Sequence, residues 1–247
     1  MKIAAVIPAR YASTRFEGKP LAKISGKPMI QHVYENVKRC ELLDVLVVAT
    51  DDRRIFDAVN QFGGKAMMTS SEHPTGTDRV AEVARSLQSD IIVNVQGDEP
   101  LVKPEMVEQV IAPLIDDKNI QVSNLITQIL ELSDYADTAV VKAVQDIKGF
   151  LLYLTRAAIP YPKTAQNFRV YKQIGLYAFR KDFLQTFVQM DQTPLELIEG
   201  IEFLRLLENG FKVKAVLTDY NPKSVDTLSD LIEVEKILAR KSEKTAH

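Results

Sequence analysis

The chain has 247 residues, 46% hydrophobic and 26% charged, a balance that excludes a disordered chain and is long enough to bury a core without disulfides. Its 31 basic and 33 acidic residues give a formal net charge of −2, which argues against a broad nucleic-acid surface and leaves room for a local basic pocket. No apolar run approaches the ~20 residues that span a bilayer, the opening residues lack a signal-peptide layout, and the single Cys40 cannot form an internal bridge, so a cytoplasmic chain with no membrane and no nucleic-acid partner is expected.

Ile3–Pro8 is a short apolar run ending at a loop and predicts a buried strand. Pro28 suits the first position of a helix running towards Cys40. Asp44–Thr50 (DVLVVAT) predicts a second buried strand, Asp52–Phe62 a helix stopped by Gly63-Gly64, and Lys65–Thr69 a short strand. Thr77–Gln88 reads as a third helix and Ile91–Gln96 (IIVNVQ) as another apolar strand. Apolar strands separated by amphipathic helices predict a parallel sheet covered on both faces. The pattern then changes: Val122–Lys142 and Phe150–Phe179 carry strand candidates with few helices, read as mixed sheet plus an excursion. Pro194–Asn209 predicts one helix, with Leu197, Ile198, Ile201, Leu204 and Leu207 on one face and Gly210 as its stop. Lys212–Thr218 returns as a strand, Leu228–Arg240 is the last helix, and the tail from Lys241 is expected to fray. The fold expected is α/β, a mixed, mainly parallel sheet covered by helices on both faces, in a single domain.

Ligands of open α/β sheets sit beyond the carboxyl ends of the strands, so the informative residues should follow Pro8, Thr50, Thr69 and Gln96. After the first strand, Arg10, Arg15 and Lys19 place three cations within ten residues, with Ser13, Thr14 and Gly18 among them. A triphosphate needs such a cradle of cations, hydroxyls and backbone N–H groups; a solvated basic loop is the plain alternative. The spacing of a Walker P-loop is absent. Asp98, in Gln96-Gly97-Asp98-Glu99-Pro100, stands at a strand mouth beside a glycine, which suits magnesium on phosphate oxygens as well as a simple acidic turn. Asp226 follows the strand Lys212–Thr218 after a short loop and, like Thr227, suits the cap of the last helix. Gly76-Thr77-Asp78-Arg79 opens a helix whose N–H groups suit phosphate or base, while Thr77 or Asp78 would also serve as caps. By residue type alone, Tyr177 reads as core and Glu202 as a surface helix charge. His32 and His73 belong to no metal-spaced cluster.

Ile7–Pro20 followed by Gly26-Lys27-Pro28-Met29-Ile30-Gln31-His32-Val33-Tyr34 resembles the opening signature of the 3-deoxy-manno-octulosonate (KDO) cytidylyltransferase family. Ala49-Thr50-Asp51-Asp52, Met68-Thr69-Ser70, Gly76–Arg79, Val95–Pro100 and Ser224-Val225-Asp226-Thr227 continue the match in order. The resemblance implies a nucleotide-diphospho-sugar transferase-like fold and transfer of CMP from CTP to the anomeric hydroxyl of an acidic 2-keto-3-deoxy sugar. That sugar would be KDO or a close analogue such as its 8-amino form, with release of pyrophosphate and a product used in lipopolysaccharide synthesis. It implies Mg²⁺ on Asp98 and Asp226, with Arg10 and Lys19 completing the catalytic set. CTP would be met by Pro8, Ala9, Arg10, Ser13, Arg15, Lys19, Thr77, Arg79 and Gln96. The sugar acid would be met by Arg156, whose guanidinium can bond both carboxylate oxygens, and by Gln173, Tyr177 and Glu202. It also implies a homodimer, with the excursion around Phe150–Phe179 in the contact. The nucleotide half would cover about residues 1–120, the sugar and dimer part about 121–211, and the return strand and last helix 212–247.

The family pattern has glycine at Ala12, Leu-Pro at Phe16-Glu17, Phe-Ser at Leu154-Thr155, histidine at Gln173 and glutamine at Phe203. The last three changes fall in sugar-facing motifs, which predicts altered sugar choice or affinity with nucleotide chemistry retained. A sialic-acid or hexose-phosphate nucleotidylyltransferase is the nearest rival, and a silent nucleotide-binding relative the rival of another class.

Overall fold

All seven residues of β1 (Ile3–Ala9, IAAVIPA) are buried, as a strand covered on both faces requires. The computed structural model describes residues 1–12, 16–164 and 169–245, and the chain folds as two units, Met1–Val107 with Pro222–His247, and Glu108–Asn221. No helix among the described residues is long and apolar enough to cross a membrane.

In the first unit β1 leads through a 3₁₀ turn (Lys19–Leu21) and a small hairpin, β2 (Lys23–Ile24) and β3 (Lys27–Pro28), into α1 (Met29–Val37). Then come β4 (Val45–Thr50), α2 (Arg53–Gln61), β5 (Ala66–Met68), α3 (Gly76–Ser86) and β6 (Ile91–Val95). The strands lie in the order β6-β1-β4-β5, and each adjacent pair is parallel. The chain moves from β1 to one side, through β4 and β5, then crosses to β6 on the other. The carboxyl ends of β1 and β6 therefore flank a topological switch point, where such sheets open a crevice for ligands.

Local chemistry fixes the helix starts. Asp52 accepts the Arg54 N–H at 2.8 Å, and Thr75 with Asp78 forms a reciprocal capping box. Pro28 precedes the first turn of α1 as its cap and does not occupy the expected first helical position. Sequence reading passed over α4 (Pro104–Asp116), the helix in which the chain leaves the first unit for the second.

The second unit contains β7 (Val122–Gln128), α5 (Leu132–Ala136), β8 (Lys142–Gln145), β9 (Leu151–Thr155), β10 (Tyr171–Arg180), α6 (Lys181–Phe187), α7 (Pro194–Glu199), α8 (Phe203–Glu208) and β11 (Lys214–Thr218). Its strands run β11-β7-β10-β8-β9, with β11 parallel to β7 and the other pairs antiparallel. The mixed, mainly parallel sheet expected from the sequence is present, and β11 belongs with this unit. The last helix, α9 (Leu228–Thr245), belongs with the first and continues beyond the expected end at Arg240.

The single helix expected over Pro194–Asn209 is two. Gly200 takes the left-handed conformation (φ +65°) and ends α7, and α8 starts at Phe203. Leu197 and Ile198 are 62% and 79% exposed, whereas Ile201 and Leu204 are buried, so no continuous apolar face runs through the segment. Across the break, Arg205 Nε bonds Glu196 Oε2 at 2.7 Å, and both side chains are nearly sealed from solvent.

Candidate active site

Arg10 leaves the carboxyl end of β1 exposed to solvent; Ser13 and Arg15, expected to meet the nucleotide, lie outside the described residues. The chain then closes on itself. Gly18 donates its N–H to the Tyr11 carbonyl at 2.9 Å and takes φ +69°, and a Cβ there would stand 3.0 Å from the Tyr11 ring. Conformation and space both require glycine. This loop delivers Lys19 at the start of the 3₁₀ turn.

Lys19 Nζ lies 2.7 Å from Asp98 Oδ2 and 3.4 Å from Asp226 Oδ1, joining residues 79 and 207 positions apart. The side chains of Lys19, Asp98 and Asp226 are 15%, 29% and 36% exposed, so the cluster is reachable from solvent while partly shielded from it. Charge interactions there exceed their value in open water.

Packing explains why Asp226 arrives. The Val225 N–H donates to the Asp98 carbonyl at 2.9 Å. The Val225 side chain is buried with Ile24, Met29, Leu231 and Val234, and Phe16, Ala22, Leu101 and Leu238 pack on that cluster. One apolar anchor thus ties the opening loop, the loop after β6 and the start of α9. Thr227 takes the helix-capping pattern, accepting the Asp230 N–H at 3.3 Å while Asp230 Oδ2 accepts the Thr227 N–H at 2.9 Å. Burial acts to raise the Asp230 pKa, but hydrogen bonds from the Thr227 side chain and from the Asp226 and Thr227 N–H groups outweigh it and hold the carboxyl below its usual range. With Thr227 as cap, the Asp226 carboxylate turns to Lys19.

A Cβ on Gly97 would fall 2.8 Å from the Pro8 carbonyl oxygen, so glycine lets the ends of β1 and β6 close up. Gly97→Ala is expected to cost about 1–3 kcal/mol by overpacking and to raise KM for the nucleotide; thermal unfolding and steady-state kinetics check both. On the other side of Pro8, a Cβ on Gly76 would meet Pro8 Cγ at 3.3 Å and Gln96 Oε1 at 3.6 Å. Gln96 Nε2 donates to Asn94 Oδ1, and Asn94 Nδ2 to Thr77 Oγ1, each at 3.2 Å. Pro8, Ala9, Thr77 and Gln96 therefore gather at the strand mouth, in a chain of contacts that includes Asn94, a residue sequence reading did not single out.

Arg79 is buried and pairs with Asp51 at 2.8 Å, with further bonds to Thr69 Oγ1 and, at 3.3 Å, the Ser70 carbonyl. It clasps the ends of β4 and β5 together. Asp51 stands in a quoted motif, yet nothing in the sequence names its partner. His73 pairs with Glu82, and that hydrogen bond holds the Glu82 carboxyl below its usual range. His32 bonds the Ile24 carbonyl at 2.8 Å. Both histidines are engaged in local structure.

The residues expected at the sugar lie in the second unit. Arg156 follows β9; its Nε donates to the Glu199 carbonyl at 2.8 Å and its N–H to Glu199 Oε2 at 2.9 Å. Thr155 Oγ1 bonds the other Glu199 oxygen, so Glu199, missed in the sequence, seats the arginine. The Arg156 Nη1 donates to the Thr138 carbonyl at 3.0 Å. Beside it Lys142 is fully buried and bonds the Asp137 and Val140 carbonyls at 2.7 Å each, and burial pushes its pKa down. Tyr177 is half-buried, its ring centroid 4.6 Å from that of Phe203. Glu202 precedes Phe203 at the start of α8. Phe203 is 1% exposed and also packs on Phe179 and Phe187. Phe203 therefore belongs to the core of this unit.

Residues 4–217 match the profile of the family described as cytidylyltransferase. A protein of Geotalea uraniireducens named 3-deoxy-manno-octulosonate cytidylyltransferase is 51% identical over 251 aligned positions, covering 97% of this chain and 99% of that one. A solved structure of CMP:2-keto-3-deoxy-manno-octonic acid synthetase complexed with CTP superposes with a TM-score of 0.93 at 40% identity, covering 98% of this chain and 100% of that one. At 16% identity, the 4-diphosphocytidyl-2C-methyl-D-erythritol synthase of Anaerococcus prevotii shares the fold with a TM-score of 0.64, covering 96% of this chain and 98% of that one.

Proposed function

The chain belongs to the cytidylyltransferase family, and on that premise we propose that it transfers CMP from CTP to the anomeric hydroxyl of KDO, releasing pyrophosphate. The observation that carries this reading is the meeting of Lys19, Asp98 and Asp226 at the switch point of the first unit.

The anomeric oxygen attacks the α-phosphorus of CTP, the bond to the β-phosphate oxygen breaks, and pyrophosphate leaves. Such transfers depend on positioning and charge stabilisation, so no covalent protein nucleophile is needed. Arg10 and Lys19 neutralise the triphosphate. Arg156, seated by Glu199, receives the sugar carboxylate, with Gln173, Tyr177 and Glu202 around it.

The donor set fits a magnesium ion. Carboxylate oxygens from two distant segments converge on one point cation, the Lys19 ammonium, and among the described residues no group of three or more His, Cys, Asp or Glu side chains is placed to hold a metal ion by itself. Asp98 and Asp226 would hold the ion, leaving its other positions to ligand oxygens. When bound, Mg²⁺ supplies charge neutralisation on phosphate oxygens and eases ionisation of the attacking hydroxyl. A homodimer in the cytoplasm, feeding lipopolysaccharide synthesis, completes the reading.

Pyrophosphate release is measured for CTP, UTP, GTP and ATP against KDO, its 8-amino analogue and sialic acid. The expected result is release with CTP and a 3-deoxy-octulosonate alone. Preference for sialic acid or another nucleotide favours the rival transferases, and CTP binding without release from any sugar favours the silent relative.

A further inference from the structure

In β10 and β7, Gln173 pairs with Ile126 and Tyr177 with Asn124, so β10 takes four steps where β7 takes two. The result is a bulge whose carbonyls need donors. Asn124, fully buried beneath it, supplies them: its Nδ2 points at the bulge carbonyls of Ile174 (3.0 Å) and Leu176 (3.3 Å), and at that of Leu125 (3.1 Å) on its own strand. A flipped amide would set Oδ1 against three carbonyl oxygens, so the orientation of Asn124 is fixed by its surroundings. Its Oδ1 is then an obligatory acceptor, and Gln173 Nε2 donates to it at 2.9 Å. That bond in turn fixes the Gln173 amide. Its Oε1 remains, with no hydrogen bond from any described residue.

The position of Gln173 points to a ligand. The Gln173 N–H donates to the Val141 carbonyl at 2.9 Å; Val141 precedes Lys142, which pairs with Lys172 on one side and Thr155 on the other. Gln173 and Arg156 each directly follow one of those two partners of Lys142, Arg156 just past the end of β9. Opposed residues share a sheet face, which puts Gln173 with Ile126 and Tyr177 with Asn124. Ile126 and Asn124, two apart on β7, share theirs.

We propose that Asn124 is a positioning residue that locks Gln173 with Oε1 as an acceptor, so that this position selects a hydroxyl donor on the sugar acid and disfavours a carbonyl or carboxylate there. The proposal rests on the function proposed above. It is tested by KM for the sugar and for CTP, and kcat, in wild type, Gln173→Met, Asn124→Ala and the double variant, with KDO and with analogues each lacking one hydroxyl. Gln173→Met is expected to raise KM for KDO roughly tenfold and leave kcat and KM for CTP unchanged. For one deoxy analogue, wild type and Gln173→Met should have the same KM. Asn124→Ala is expected to raise the same KM and to add nothing in the Gln173→Met background. An unchanged KM in Gln173→Met, equal losses on every analogue, or additive effects of the two substitutions overturn the proposal. If Asn124→Ala does not fold, the Gln173→Met arm with the deoxy analogues decides alone. A wild type silent with CTP and every sugar overturns the parent reading as well, which separates the two failures.

Discussion

Asp98→Asn is expected to lower kcat by roughly three orders of magnitude, about 4 kcal/mol of transition-state stabilisation, while the protein stays folded. The side chain keeps its shape, so packing is spared. The structural tie at this residue runs through its backbone carbonyl to the Val225 N–H, which the substitution leaves alone. What is lost is one of two negative charges around Lys19, one of the two carboxylates that would hold the metal in the proposed reaction. Pyrophosphate release at saturating Mg²⁺ reads the activity, and circular dichroism with thermal unfolding reads the fold. Turnover near the wild-type rate in a folded variant would overturn the assignment.

The largest effect on stability is expected in the second unit. Arg205→Met removes the partner of Glu196, a carboxylate 4% exposed, and strands it in the interior. Breaking a buried pair from one side costs about 3–5 kcal/mol, which for a chain of this size lowers Tm by on the order of 10 °C. Arg205 also bonds the Met190 carbonyl at 3.2 Å and lies over the Phe187 ring at 4.8 Å, so its loss loosens the corner between α7 and α8. Because Glu199 ends α7 and seats Arg156, KM for the sugar should rise while KM for CTP holds. Replacing Glu196 and Arg205 together by Met and Leu should restore much of the stability, since no lone charge remains buried. A single variant as stable as wild type would show that the pair carries no such burden.

The first unit was legible because its physics is local. Runs such as DVLVVAT and IIVNV are short, β-branched and apolar without alternation, the pattern of a strand buried on both faces. Asp52 stands at the start of the helix it caps, whereas the cap expected at Thr77 or Asp78 is Thr75, with Asp78 as its reciprocal partner. The second unit was harder to read. Spacing alone carries the 194–209 helix straight through Gly200, and only the left-handed conformation and the Arg205–Glu196 pair show the break. In α4, Met106, Val107, Val110, Ile111 and Leu114 do carry helical spacing, but Pro113 within it reads as a breaker. Among the site residues, Lys19, Asp98 and Asp226 were recognisable by motif, but their contact depends on an anchor assembled from Phe16, Ile24, Met29 and Val225. Asp51, Glu199 and Asn124 acquire their roles only from partners far along the chain. No local pattern encodes such pairings.

Metal uptake gives the most direct test of that three-residue centre. Protein-bound Mn²⁺, read by water proton relaxation with and without CTP, should appear in the wild type with CTP and fall away in both Asp98→Asn and Asp226→Asn. Undiminished, CTP-dependent binding of Mn²⁺ by both folded variants would contradict the account.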